Sequence, residues 1–271
     1  MGSHARSPLG WHIGLRLADD RVLAGTPGER RLLSRAVLRH GERARLVAYR
    51  AADTHVHAEL LCDHDEVGRF VRSVGRCLAL ELGRDAPLRA SFVKPLADQR
   101  HGQSTLRYIL GQEQRHGLDS DPFHEASNLP DLLGLRVVGR STAQVLAQAF
   151  PRIRREELVA ALGRVSSPEP LDLHVLADAA AAALALPDLC GHDGEAVAAR
   201  HAAVHAAGRA ILARHIAQVL GTTQRTVERL RTKPCDARLL EAVRGQWRLR
   251  CGRRADEPRA LLAEDAWVPT E

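Results

Sequence analysis

Four short stretches in the N-terminal part of the chain alternate between apolar and polar side chains. They are residues 11–17, 45–50, 54–61 and 88–93. Because successive side chains of a β-strand point to opposite faces, this alternation is typical of strands with one buried face. The stretches therefore predict a sheet of four strands whose apolar faces lie on a common core.

Two longer stretches, residues 29–41 and 66–82, repeat apolar side chains every three to four positions, as amphipathic helices do. A third helix is predicted to begin near Ser104, after a polar loop at 98–103, and to end at Gly117. The order β-α-β-β-α-β-α predicts an α+β fold. We expect an antiparallel sheet with helices on one face, in a ferredoxin-like arrangement.

Beyond residue 120 the strand pattern disappears, and the composition predicts an all-α region. The segment Ser-Ser-Pro-Glu-Pro at 166–170 has the composition of a linker. The first five residues resemble an expression scar, so His4 is left out of the site. The predicted organisation is a tag or disordered segment at 1–9, a first domain at 10–127, a helical connector at 128–165, a helical domain at 166–252 and a tail at 253–271.

Residues 216–230 have the spacing of a helix-turn-helix. Ala217 is small where two helices would cross, Gly221 opens the turn, and Val227 and Leu230 anchor the second helix. An ordinary helical hairpin has the same outline, but the number of matched positions favours DNA binding. The exposed face of the second helix would then meet DNA through Gln224, Arg225, Glu228, Arg229 and Thr232.

The strand at 54–61 places His55, His57 and Glu59 on its polar face. Two imidazoles two residues apart on a strand can reach one divalent metal ion. The chain has 14 histidines, so about one His-x-His pair is expected by chance. His12 lies on the polar face of the first strand, where we expect it in solvent and not at a ligand site.

The third helix carries Tyr108, Gln112 and Arg115 on one face, since residues three and four apart are neighbours there. The chain has only two tyrosines, and the other is Tyr49 in the second strand. The combined pattern predicts a metal site with a nucleophilic hydroxyl beside it.

Charge and composition narrow the class of function. The formal net charge is +6, and only Lys94 and Lys233 are lysines, so arginine supplies the excess. Arginine grips phosphate with a rigid fork, although a GC-rich genome also enriches arginine. Five cysteines without a Cys-x-x-Cys pair favour a reducing compartment and argue against structural zinc. No apolar run reaches membrane-spanning length and no secretory leader is visible, so a cytoplasmic protein is expected.

These residues resemble a known family. His55-Val56-His57 resembles the histidine–hydrophobe–histidine signature of the HUH nucleases, and residues 108–118 resemble the tyrosine helix of single-tyrosine transposases. The layout is similar to the REP-associated tyrosine transposases, which also have a segment like residues 128–135. Thr54 departs from the family's usual asparagine, and aromatic residues are few. Residues 171–233 resemble the C-terminal DNA-binding domain of the replication initiator DnaA.

The resemblance implies a bacterial, nucleoid-associated enzyme whose catalytic domain is residues 10–127. Tyr108 would cleave single-stranded DNA next to a hairpin and form a 5′-phosphotyrosine linkage. His55, His57 and Gln112 would hold Mg²⁺ or Mn²⁺. Arg115 would contact DNA, and the helix-turn-helix makes duplex DNA a further partner. Family members of this class occur as monomers and as homodimers.

Two other classes of function remain open. A transcription regulator derived from a transposase would keep the helix-turn-helix and lose catalysis. A zinc-dependent hydrolase would use the histidines, but no third His, Asp or Glu stands at zinc spacing in the sequence.

Overall fold

A four-stranded antiparallel sheet forms the N-terminal part of the computed structural model, which describes residues 7–84, 86–112, 121–162 and 172–252. The strand order in the sheet is β2-β3-β1-β4. The prediction of an α+β fold built on an antiparallel sheet is confirmed. The strands are β1 (Gly10–Leu17), β2 (Leu46–Ala52), β3 (His55–Leu60) and β4 (Leu88–Leu96).

Three helices connect and cover this sheet: α1 (Pro27–Gly41), α2 (His64–Leu82) and α3 (Gln99–Leu110). α1 begins two residues before the predicted start because Thr26 and Glu29 form a capping box and Pro27 occupies the first turn. Asp63 caps α2 by accepting a hydrogen bond from the backbone of Glu66. Each cap satisfies backbone N–H groups that a helix leaves without internal partners.

The helices lie on both faces of the sheet, so the expectation of helices on one face is wrong. α1 and α2 pack on the face that carries Ile13 and Leu15, whereas α3 packs over β2 and β3. All seven residues of β2 are buried. Val47 and Ala48 join the core cluster of α3, together with Leu106. These small apolar side chains gave β2 a second buried face that simple alternation did not reveal.

The bounds of α3 also differ from the prediction. The helix begins at Gln99, because Asp98 and not Ser104 is the N-cap and accepts a hydrogen bond from the backbone of His101. The predicted polar loop at 98–103 is therefore the N-cap and first part of a helix, in which Gly102 is buried. α3 ends at Leu110, where Gly111 caps it, and residues 113–117 of the expected helix lie outside the described residues.

The C-terminal part is mostly helical in the residues that the structure describes, as the composition predicted. None of the described helices is long and apolar enough to cross a membrane. The predicted linker at 166–170 lies outside the described residues. The helices are α4 (Leu129–Leu132), α5 (Arg140–Ala149), α6 (Arg155–Ala161), α7 (Leu173–Ala183), α8 (Gly194–Ala207), α9 (Ala213–Val219), α10 (Gln224–Arg231) and α11 (Ala237–Gly252).

A buried ionic network joins these helices to α1. Glu125 accepts hydrogen bonds from Arg31 of α1 and from Arg250 of α11, and both arginines also pair with Asp178 of α7. The side chains of Arg31, Glu125 and Arg250 are 2%, 5% and 5% exposed. Because charges removed from water need their partners, the helices after residue 172 are part of the environment that the sheet region requires.

A second buried ion pair holds the segment after the sheet in place. Asp131 accepts a hydrogen bond from Arg136 Nε at 2.9 Å and another from the backbone of Gly139 at 2.7 Å. Arg136 also donates to the carbonyl of Glu125 at 3.0 Å and to the hydroxyl of Tyr49 at 3.3 Å. The pair therefore fixes α4 and the following turn against β2.

We expect Asp131→Ala to lower the free energy of unfolding by about 3–5 kcal/mol, because it leaves the buried guanidinium of Arg136 without an anionic partner. Urea unfolding of the full chain measures this loss. The double variant Asp131→Leu with Arg136→Met replaces the pair by apolar side chains and should regain most of the stability. A stability of the single variant equal to that of the wild type would contradict the structural importance of the pair.

Candidate functional site

One face of the sheet gathers polar and aromatic side chains from three neighbouring strands. In the β1–β3 register, His12 lies opposite Glu59 and Gly14 lies opposite His57. In the β1–β4 register, His12 lies opposite Lys94 and Gly14 lies opposite Phe92. Directly opposed residues point to the same face. The site therefore sits on the sheet face that α3 covers.

α3 brings Tyr108 to this face, beside the histidines. The ring centre of Tyr108 lies 5.4 Å from that of His57 and 5.7 Å from that of His12. The ring centres of His55 and His57 are 4.9 Å apart on β3. His57 is 6% exposed, whereas His55 and Tyr108 are half-buried. The two elements that the sequence singled out thus meet in space with a phenol against an imidazole.

Two further predicted site residues of this region are Gln112 and Arg115. Gln112 is completely buried just after the end of α3. Arg115 lies outside the described residues. Within the described part of the chain, no three His, Cys, Asp or Glu side chains form a metal-ligand group. The predicted ligand set of two imidazoles and an amide oxygen is compatible with Mn²⁺ or Mg²⁺, and Mn²⁺ is the better match for imidazole.

The environment of His12 differs from the one predicted from the sequence. The residue is half-buried, and its Nε2 lies 3.0 Å from Nδ1 of His57. Burial lowers the pKa of His12 to about 4, with the charges of Lys94 and His101 acting in the same direction. The expectation of a solvent-exposed His12 is wrong, because α3 covers the polar face of β1. A third imidazole therefore stands beside the pair, although the sequence spacing showed none.

Phe92 and Lys94 of β4 complete the rim of the site, and the sequence reasoning missed both. The Phe92 ring centre lies 5.0 Å from that of His12 and 5.5 Å from that of His57. Lys94 Nζ lies 5.4 Å from the Phe92 ring centre. Gly14 makes room for this ring, since a Cβ at that position would come within 2.4 Å of Phe92 Cε1. Only the cross-strand register could have identified these neighbours.

Glu59 shares the strand face of the histidines but lies deeper under α3. It is fully buried, and neither carboxyl oxygen has a hydrogen-bond partner among the described residues. A Cβ added at Gly102 of α3 would lie 3.0 Å from Glu59 Oε1, so helix and strand are in close contact here. Burial raises the pKa of this carboxyl well above its ordinary value. Burial therefore favours the neutral, protonated form of Glu59 over the charged form.

The segment at 216–230 contains two helices joined by a turn, at the positions that the spacing predicted. α9 and α10 pack together around a turn in which Gly221 has a φ of +58°, a conformation that glycine adopts readily. Val227 and Leu230 are buried, and Thr223 caps α10. The side chain of Gln224 donates to Glu228 at 2.8 Å. The five candidate DNA contacts are all exposed: Gln224, Arg225, Glu228, Arg229 and Thr232.

Comparisons with known proteins find no matching family model, no similar curated protein and no similar solved structure. The chemistry of this chain must therefore be inferred from its own residues and their arrangement.

Proposed function

We propose that this protein is a metal-dependent single-stranded DNA endonuclease and strand transferase, a transposase of the HUH single-tyrosine type. The observation that carries the proposal is the 5.4 Å approach of the Tyr108 ring to the ring of His57 in the His-x-His strand. This reaction needs at least a nucleophilic hydroxyl beside a pair of metal-binding imidazoles.

The topology of the sheet region supports the same class of fold. The order β1-α1-β2-β3-α2-β4, with the strands arranged β2-β3-β1-β4, is that of a ferredoxin-like unit. Strand β3 lies inside this sheet between β2 and β1, so its histidines are held from both sides. α3 follows β4 and covers the face on which they lie, so Tyr108 is on the same side of the sheet as the histidines.

The reaction follows from these positions. Tyr108 Oη attacks the scissile phosphorus, a bond forms between the phenolic oxygen and phosphorus, and the bond to the 3′ oxygen breaks. The 5′ phosphate is then attached to Tyr108. The phenolic proton is released to solvent as the bond to phosphorus forms, and the 3′ oxygen takes up a proton from solvent and leaves as a hydroxyl. A bound Mg²⁺ or Mn²⁺ supplies Lewis-acid polarisation of the phosphate. His55 and His57 would hold that ion, and the amide of Gln112 would supply the third ligand.

The energy of the phosphodiester is kept in the phosphotyrosine, so the 3′ hydroxyl of another strand can reverse the step. Such reversal joins strands without an external energy source, which is what transposition requires. The substrate implied is single-stranded DNA next to a hairpin. The setting is the bacterial cytoplasm and nucleoid, with the protein as a monomer or a homodimer.

The exposed face of α10 favours a second candidate function. Arg225 and Arg229 point outward from a capped helix that is anchored by its apolar side, which suits insertion into the major groove of duplex DNA. A transcription regulator that no longer cleaves DNA would need only this part. In the transposase, the same helix would hold the protein near its target.

Incubation of the full chain with end-labelled hairpin DNA and Mn²⁺, followed by a denaturing gel, tests the proposal. A labelled band that migrates with the protein and disappears after protease treatment is expected. Tight binding to duplex DNA with no covalent band at any divalent ion would instead favour the regulator.

We expect His55→Ala and His57→Ala each to reduce cleavage by at least about 100-fold while changing DNA affinity little, because metal ligands act on the chemical step and the basic surface lies elsewhere. Initial cleavage rates and filter binding measure the two quantities separately. His64→Ala is the matched control, since His64 is exposed and packs against Trp11. Cleavage at the wild-type rate by either site variant would remove the metal site from the proposal.

A further inference from the structure

The imidazole of His12 makes a direct polar contact with His57 at the site. We propose that His12 is the positioning residue for His57: its Nε2 accepts the hydrogen that His57 carries on Nδ1. This inference rests on the proposed function and goes beyond the ligand set implied by the sequence motif, since His12 comes from β1, far from that motif in the chain.

The geometry supports a hydrogen bond between these two rings. The two nitrogens are 3.0 Å apart, within the usual range for a nitrogen donor and acceptor. Gly14, and not a residue with a side chain, lies opposite His57 in the register. The His12 ring therefore reaches diagonally across the strand pair to His57.

Packing fixes the His12 ring in this orientation. Phe92 meets it edge-on at 5.0 Å between ring centres, and Tyr108 meets it edge-on at 5.7 Å. A ring held on two sides loses little further entropy when it accepts a hydrogen bond. The contact can then determine how the His57 ring is oriented and which of its nitrogens carries the hydrogen.

The chemistry of metal-bound imidazoles explains the value of this contact. When one ring nitrogen ligates a metal, the other carries the hydrogen and needs an acceptor, which raises the basicity of the ligand and fixes its tautomer. If Nδ1 of His57 donates its hydrogen to His12, Nε2 would be the atom of that ring left to bind the metal.

An imidazole acceptor suits this substrate in a way that a carboxylate would not. The usual partner of a metal-bound histidine is a carboxylate or a backbone carbonyl. A carboxylate next to His57 would repel the phosphodiester that has to approach the ion, since like charges at short range disfavour each other. A neutral imidazole provides the acceptor without that charge.

Titration of the full chain with Mn²⁺, followed by electron paramagnetic resonance of the free ion, tests this role without DNA cleavage. We expect His12→Phe to weaken Mn²⁺ binding about 10–100-fold, because the ring shape is kept and the acceptor is lost. His12→Gln, whose amide oxygen takes the place of Nε2, should restore most of the affinity. His64→Phe is the matched control and should bind like the wild type.

The outcomes distinguish a failure of this inference from a failure of the proposed function. If His57→Ala loses Mn²⁺ binding while His12→Phe binds like the wild type, the positioning role is wrong and the metal site stands. If His57→Ala also binds like the wild type, or the wild type does not bind Mn²⁺, the proposed function fails and this inference fails with it.

A second measurement on the wild-type chain needs no substitution. Long-range ¹H–¹⁵N spectra of the imidazoles report which nitrogen of His57 carries the hydrogen. We expect the Nδ1–H tautomer for His57. The Nε2–H tautomer would overturn the proposal even if His12→Phe fails to fold.

Discussion

Tyr108→Phe should eliminate the covalent protein–DNA adduct completely. Phenylalanine keeps the ring and its packing against His57 and His12, so the loss would report the missing hydroxyl and not a cavity. Binding of the single-stranded hairpin should change little. Denaturing gels with labelled DNA and Mn²⁺ measure the adduct, and filter binding measures the affinity.

Tyr49→Phe is the matched control, because Tyr49 is the only other tyrosine of the chain. Its side chain is fully buried on the α1 and α2 face of the sheet, and its hydroxyl accepts a hydrogen bond from Arg136 at 3.3 Å. The control should lose about 1 kcal/mol of stability, the usual cost of one buried hydrogen bond, and keep the adduct. Peptide mapping that places the nucleotide on Tyr49, Ser104 or any residue other than Tyr108 would contradict the mechanism.

A chain truncated after Ser166 should fail to fold cooperatively. Removal of α7 and α11 takes Asp178 and Arg250 away from the buried charges of Arg31 and Glu125. Breaking a buried ion pair costs about 3–5 kcal/mol, and whole domains are stable by only about 5–15 kcal/mol. The truncation also removes Leu249 from the core cluster beneath α3. Thermal unfolding followed by circular dichroism measures the effect.

A cooperative transition of the truncated chain at the melting temperature of the full chain would contradict this expectation. It would show that the sheet region is independent of the later helices. The double variant Arg225→Ala with Arg229→Ala is the matched control. Both side chains are exposed, so the variant should melt like the wild type and lose only affinity for duplex DNA. This variant tests the helix-turn-helix without disturbing the buried network.

The linker composition at 166–170 predicted a boundary between two domains. That boundary stays a prediction, and the buried network connects residues on both sides of it. Composition indicates the conformational preference of a segment in water. It does not report ion pairs between residues as distant in the chain as Arg31, Glu125 and Arg250. Such pairs depend on how helices are packed together, which no local pattern encodes.

Local patterns determined the elements of this protein. Alternation predicted β1 to β4 close to their observed bounds, because the side-chain period of two is a local property of each strand. Helical spacing placed α1 and α2, and the Gly221 turn with Val227 and Leu230 predicted the packing of α9 on α10. Strand alternation also placed His55 and His57 on one face of β3.

Tertiary structure alone decided what surrounds those residues. The register between strands determines that His12 contacts His57 and that Phe92 fills the space at Gly14. A polar strand face has the same sequence pattern whether water or α3 covers it. The second layer of helices over β2 was missed for the same reason. The start of α3 at Gln99 was missed although its cap, Asp98, is a local signal. The period of a strand tells which side chains share a face, and only the packed fold tells what that face meets.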